Sequence, residues 1–333
     1  MATTKKLKAA ILGFGGMGHC HASQYGAQKD VKLVAVCDID PSKFFMDNVE
    51  LNFGDSGKTD VKALKCYTSY EELIAGEPDL DYIDICLPSD LHCEYACRAM
   101  NDGFNVLCEK PMALNTADCD KMIKTSKATG KLLMIAQCLR FSDSFNMIRK
   151  FYENGKYGKL LRFSLHRMGG FPKGWFREVD RSGGALMDLH IHDIDFVMYM
   201  LGKPDSLRAR GVVVKSGGVD DLSVNLNYKD GPIVDAESSW ARGGWQCGMA
   251  AVFENATVAT DGGDVTIYQM DKPLKTLKPK NDNMYFNEIA YFAKCVKTNT
   301  LPDVASLEST RETIRVLLLE TKSALAGGKC IKL

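Results

Sequence analysis

The 333-residue chain has twelve cysteines but no Cys-x-x-Cys pair. Zinc ribbons and dithiol redox motifs use that spacing, so its absence argues against a structural metal. Cys93 and Cys97 are one helical turn apart, with no second Cys/His pair near them in sequence. Cys37, Cys86, Cys108 and Cys138 fall in or at the ends of apolar runs, where a thiol behaves as a small hydrophobe. All twelve read as reduced thiols of a cytoplasmic protein. Net charge is missing too, because 42 basic residues balance 42 acidic ones. That removes the electrostatic case for nucleic acid or an acidic membrane as partner. The apolar run after Met1–Lys8 is too short for a membrane span and lacks a signal peptide's small-residue cleavage pattern. Repeats, low-complexity tracts and long linkers are absent as well.

What is present first is a glycine-rich turn. Residues 8–13 form a short apolar strand, followed by Gly13-Phe14-Gly15-Gly16-Met17-Gly18 and a helix to about residue 28. This is G-x-G-x-x-G between strand and helix. The glycines permit a tight turn, backbone approach to a pyrophosphate and close helix–strand packing, while the helix N-terminus supplies N–H donors. A second strand, 31–38, ends in Asp38, about twenty residues past the last glycine. Such an acid accepts from both ribose hydroxyls and repels a 2′-phosphate, which favours NAD over NADP.

The alternation then continues. Helices are expected at 41–54, 69–77, 90–102 and 115–129, with strands at 64–67, 82–87, 105–108 and 132–136. Alternating strands and amphipathic helices imply a doubly wound parallel sheet over residues 1–138, a dinucleotide-binding Rossmann domain. Ligands lie at the carboxyl ends of such strands. Three strand ends therefore matter: Leu87-Pro88 through His92, Glu109-Lys110-Pro111, and Gln137 through Arg140. Lys110 can reach the crevice where a nicotinamide would lie, to hydrogen-bond a substrate hydroxyl or help carry its proton; a lone strand-end lysine is otherwise a solvated one. His21 and His92 read as helix residues packing near the cofactor loop. His19 and His166 stay unassigned.

Residues 139–333 read as an α+β substrate and oligomerisation domain. A helix at 142–154 and a strand at 158–168 lead into the loop containing Trp175 and Arg177. An aromatic–basic loop suits a sugar, whose C–H groups pack on an indole, but a core tryptophan fits equally. The stretch Ser182–Asp195 is a glycine-rich turn opening a helix to about Gly202. Residues four apart share a helical face, which puts Asp188, His192 and Asp195 on one side. A carboxylate one turn before an imidazole can hold it for general acid/base work; a satisfied histidine beside a solvated acidic face is the other reading. A metal held by Asp188, His192 and Asp195 lacks a clear further ligand. Strands near 206–214, 221–229, 232–241, 246–254, 256–260 and 264–269 suggest a large open, mainly antiparallel sheet. Its outer face, or Trp240 and Trp245 near it, is a candidate oligomer surface. Helices at 285–298 and 306–325 close the chain.

With Glu109-Lys110-Pro111 and the Gly183-Gly184…Asp188…His192…Asp195 stretch in place, the chain resembles the glucose–fructose oxidoreductase / inositol dehydrogenase / rhizopine-catabolism (Gfo/Idh/MocA) family over almost its whole length. Ala236–Trp240 resembles the family's central sheet strand, and Phe286–Phe292 the helix after the sheet. The resemblance implies an NAD(P)-dependent dehydrogenase of sugars or cyclic polyols. Lys110 would contact the reacting hydroxyl, His192 would take its proton, and Asp188 would bind a neighbouring hydroxyl or steady His192. It implies cofactor contacts along residues 13–18, Asp38, Leu87, Pro88, His92, Glu109, Lys110 and Gln137. Substrate would meet Lys110, Arg140, Trp175, Arg177, Asp188 and His192. His190 stands where the family more often has a small residue. A homodimer or homotetramer through the C-terminal sheet is also implied. A redox-neutral NAD-dependent glycosidase and a non-catalytic NAD/sugar-binding regulator are the alternatives.

Overall fold

The computed structural model describes residues 5–46, 49–51, 54–57 and 59–333. The chain divides into two compact units: Met1–Gln137 with Tyr285–Arg311, and Cys138–Met284 with Glu312–Leu333. The sequence pattern places all of 139–333 in the second domain. The segment 285–311 instead joins the first unit through contacts that no local pattern announces. Phe292 meets Tyr82 edge-on at 5.2 Å, and Gln28 Nε2 donates to the Phe286 carbonyl at 3.0 Å.

In the first unit, strands β1 (Leu7–Leu12) and β2 (Val31–Cys37) flank helix α1 (Gly16–Tyr25). Two-residue strands β3 (Glu50–Leu51) and β4 (Gly54–Asp55) pair antiparallel. Then come β5 (Lys65–Tyr67), α2 (Tyr70–Gly76), β6 (Tyr82–Ile85), α3 (His92–Asn101), β7 (Asn105–Glu109), α4 (Thr116–Thr129) and β8 (Leu133–Ala136). The sheet order is β5-β2-β1-β6-β7-β8, and every pairing is parallel. Ile11, Val36, Ile83, Val106 and Ile135 are fully buried, as strands covered on both faces require. The helix expected at 41–54 does not form. Pro41–Phe45 is a single 3₁₀ turn that Asp40 initiates by accepting from Ser42 N at 3.0 Å, and the β3–β4 pair follows. Asp47, Asn48, Asn52 and Phe53, also inside that expected helix, lie outside the described residues.

The second unit opens with α5 (Asp143–Glu153), capped by Ser142, and β9 (Leu160–Met168). One helical turn, Val179–Ser182, precedes a π-helical turn, Leu186–His190, which runs into α6 (Ile191–Leu201). Strands β10 (Ser206–Val212), β11 (Asp221–Asn227), β12 (Ile233–Ser239), β13 (Gln246–Phe253), β14 (Ala256–Thr260), β15 (Val265–Tyr268), β16 (Lys275–Leu277) and β17 (Ile331–Lys332) complete a nine-stranded sheet. Its order is β16-β15-β14-β13-β9-β12-β11-β10-β17, antiparallel except where β9 meets β12. Along β11, Leu222, Val224 and Leu226 are buried while Ser223, Asn225 and Asn227 face solvent, the alternation of a sheet packed on one face. Among the described residues no helix is long and apolar enough to cross a membrane. No two of the twelve cysteines are joined in a disulfide.

Candidate functional site

In the first unit the polar groups gather where β1, β6, β7 and β8 end. Gly13 turns at φ +94°, and a Cβ there would sit 2.6 Å from the Cys86 carbonyl oxygen. A Cβ on Gly18 would sit 2.2 Å from the Gly13 carbonyl oxygen. These two glycines are needed by the chain itself. Around Gly15 a Cβ would meet nothing within 4 Å, which is the room a phosphate would use. Helix α1 starts there with no side-chain cap and no acid in its first turn, so its leading N–H groups suit an anion. Asp38 is fastened to this loop, accepting from Phe14 N at 2.7 Å and from Asp40 N at 2.9 Å. The Phe14 side chain is buried against His19, at 4.0 Å between rings, so only its backbone belongs to the loop. Gly16, Met17, Leu87 and Pro88 are half-buried.

Gln137, just past β8, is buried and neither its amide oxygen nor its nitrogen finds a hydrogen-bond partner. A buried amide with both atoms unsatisfied is costly and asks for a polar partner such as a carboxamide. The open cradle at Gly15 and this orphaned amide both fit a nicotinamide dinucleotide. His92 is placed otherwise than as a cofactor contact. Its ring is buried between two carbonyls, Nδ1 2.7 Å from Pro111 O and Nε2 2.8 Å from Leu87 O, and as a neutral imidazole it donates to one of them and packs against the other, between two strand-end loops. Burial holds its pKa below the ordinary histidine value. Glu109 is buried and accepts from the Lys110 N–H at 3.0 Å. Lys110 is half-buried and joins Pro111 through a cis peptide bond.

In the second unit Gly183 and Gly184 adopt φ +75° and +69°, and the Gly183 N–H closes the preceding turn on the Val179 carbonyl. The π-helical turn then sorts the polar residues. Asp188 and His192 keep partial exposure; His190, Asp193 and Asp195 are buried. Trp240 Nε1 donates to Asp188 Oδ2 at 3.3 Å, and His192 Nδ1 lies 3.7 Å from Cys138 Sγ. Asp195 does not share their face. It takes a bidentate pair from Arg140, at 2.7 and 2.6 Å, and a hydroxyl from Thr313 at 3.0 Å. That removes it from any metal set with Asp188 and His192. It also corrects Arg140, whose side chain is committed to a buried ion pair where a substrate contact was expected. Asp193 pairs likewise with Arg167 at 2.8 Å. His190 is buried between Ser238, at 2.8 Å, and Glu320, at 3.3 Å.

Trp240 is not an oligomer-surface residue. It is 1% exposed and packs on Ala185 and Leu189, with Phe171 and Trp245 against that cluster. Trp175 stacks on Phe176 at 4.0 Å, and Arg177 donates to the Pro172 carbonyl at 2.6 Å. Trp240, Arg167 and Cys138 escaped sequence reasoning as partners of the Asp188–His192 helix. They lie 26 to 54 residues away in sequence, beyond any helical spacing rule.

Residues 7–137 match a family profile described as an oxidoreductase family with an NAD-binding Rossmann fold, and residues 145–259 match the GFO/IDH/MocA C-terminal domain. The myo-inositol 2-dehydrogenase of Thermotoga maritima is 28% identical over 236 residues, 68% of this chain and 66% of that enzyme. The D-glucoside 3-dehydrogenase of Escherichia coli is 31% identical over 207 residues, 61% of this chain and 56% of that enzyme. The matched stretch thus spans just under two thirds of the first relative and little more than half of the second. The solved aldose-aldose oxidoreductase of Caulobacter crescentus shares the fold with a TM-score of 0.86 at 24% identity, covering 99% of this chain and all of that one.

Proposed function

This chain belongs to the Gfo/Idh/MocA family of oxidoreductases, with an NAD-binding Rossmann fold, and on that premise we propose that it transfers a hydride between nicotinamide and a hydroxyl-bearing carbon of a sugar or cyclic polyol. The observation that carries the reading is the selective exposure of Asp188 and His192 on a helix whose other acids are buried in ion pairs. His192 is the base that takes the hydroxyl proton. Asp188, held by the Trp240 indole, binds the adjacent hydroxyl or steadies His192. Lys110 donates to the reacting oxygen. The cofactor, when bound, accepts or returns the hydride. Residues 13–18, Asp38 and Gln137 hold it, and the Asp38 carboxylate favours NAD over NADP by repelling a 2′-phosphate. The names of the Thermotoga and E. coli relatives support an inositol or glucoside as the substrate class.

The test is the near-ultraviolet absorbance of reduced nicotinamide. Pure protein is incubated with NAD, then NADP, across inositols, aldoses, sugar acids and glycosides. A rise with NAD on one group is expected. A rise with NADP alone overturns the role of Asp38. Glycoside cleavage without external NAD would replace the dehydrogenase by a redox-neutral glycosidase, and silence with NAD bound would replace it by a regulator. His192→Ala should lower turnover about a hundredfold or more, with cofactor affinity nearly unchanged; unchanged turnover removes it as the base. We place self-association, as a homodimer or homotetramer, on the solvent face of the second unit's sheet. Ile233 and Tyr268, 60% and 52% exposed, support it. A monomer in sedimentation velocity would remove that assignment.

A further inference from the structure

A buried ionic cluster in the first unit takes part in none of these steps. His21, on α1, is fully buried, with Nδ1 3.0 and 3.1 Å from the two oxygens of Asp84 on β6. Its Nε2 is 3.0 Å from Glu109 Oε1 on β7, and 3.9 Å from Glu288 Oε1 on the helix Met284–Thr298. With Nδ1 hydrogen-bonded to Asp84 and Nε2 in ion-pair contact with Glu109 outside hydrogen-bond geometry, the imidazole lies between two carboxylates, whose charge stabilises it as the cation. Burial works against that charge, but Asp84 and the Cys86 thiol outweigh it and hold His21 well above its ordinary value. Burial likewise works against Glu109, but His21 holds it below the usual carboxylate range. Glu288, whose oxygens make no hydrogen bond, is pushed up by burial toward the neutral acid. The ligand atoms of His21, Glu109 and Glu288 are close enough to share an ion, which would have to displace the imidazole proton, so a bound metal and the imidazolium exclude each other.

The cluster is anchored on one side and ends at the catalytic loop on the other. Asp84 accepts from the Tyr25 hydroxyl at 2.8 Å, which accepts from Tyr82 at 3.0 Å. Glu109 uses its second oxygen, Oε2, to accept from the Lys110 N–H at 3.0 Å. We propose that His21 is a positioning residue for Lys110: it fixes the Glu109 carboxylate, and the carboxylate fixes the Lys110 backbone. Helix α1 carries His21 and begins at the dinucleotide loop, so one rigid element sets both the cofactor cradle and the backbone of Lys110. The inference rests on the assignment of Lys110 to the reacting hydroxyl.

A double-mutant cycle separates this role from plain structural support. His21→Gln, Lys110→Ala and the double variant are assayed with NAD and whichever sugar or polyol gives the largest signal in the absorbance panel. His21→Gln should lower kcat about ten- to a hundredfold, the scale of a misplaced catalytic group, with the NAD dissociation constant within about threefold of wild type. The double variant should match Lys110→Ala within about twofold, because the histidine has nothing left to position. Additive losses overturn the relay and leave the role of Lys110 standing. A Lys110→Ala variant with full activity, or a silent panel, removes both. A stoichiometric metal ion found by elemental analysis of the pure protein overturns the imidazolium bridge. If His21→Gln loses its near-ultraviolet circular dichroism, the isosteric Glu109→Gln takes its place in the cycle, with the same outcomes deciding.

Discussion

Asp188, Asp193 and Asp195 ride on one continuous helical stretch, and their partners tell them apart. Asp193 and Asp195 face guanidinium groups and are buried, whereas Asp188 faces an indole N–H and stays partly open. The indole N–H orients the Asp188 carboxylate by one hydrogen bond. Trp240→Phe keeps most of the packing on Ala185 and Leu189 but deletes the donor. One such hydrogen bond is worth about 0.5–1.5 kcal/mol, so kcat should fall about two- to tenfold while NAD affinity holds. Unchanged steady-state kinetics would sink the link between Trp240 and Asp188. Arg140 makes the opposite case. Removing one partner of a buried ion pair costs about 3–5 kcal/mol, so Arg140→Met should lower the urea midpoint sharply. A variant with wild-type stability and a raised KM would return Arg140 to the substrate.

The dinucleotide loop shows how one element divides its labour. Gly13 and Gly18 are forced by backbone atoms under 3 Å from a notional Cβ, whereas Gly15, at φ −80°, has open space. Gly13→Ala should destabilise the protein, because the turn must shift off Cys86 and leave its positive φ. Gly15→Ala should leave thermal unfolding nearly unchanged and weaken NAD binding at least about tenfold, since the methyl would occupy the phosphate's room. Equal losses of stability in the two variants would refute that division. The motif was legible because glycine stereochemistry acts within a few residues. At 41–54 the start signal was legible but not its length: Asp40 and Pro41 open a turn that stays 3₁₀ and stops at Phe45, and β3 pairs with β4 after it.

For the whole molecule, the buried charges of the first unit set a pH dependence. Unfolded, His21 loses its proton near 6.5, and folded it keeps it well above that. The native state therefore binds more protons, and this contribution to stability is full below 6.5 and lost as pH rises through the folded value. Glu288, raised from 4.5, acts in the same direction. Glu109, lowered, contributes above 4.5 and is lost as pH falls through its folded value. Between pH 6.5 and the ordinary thiol value of 9.0 the unfolding midpoint should decline, and His21→Gln should flatten the decline. Identical slopes in the two proteins would count against the imidazolium.

By itself the sequence determined the strand–helix alternation outside 41–54, the glycine turn with Asp38, and the spacing that puts Asp188 and His192 one turn apart. Each follows from backbone stereochemistry or helical period, which act over a few to some twenty residues. Only the tertiary structure decided that Asp195 belongs to Arg140, that Trp240 serves Asp188, that His92 lies between two loops, and that residues 285–311 return to cover Tyr82. Most of those pairings join residues tens to hundreds of positions apart. Sheet register and burial select them, and neither is written in the spacing of any one stretch.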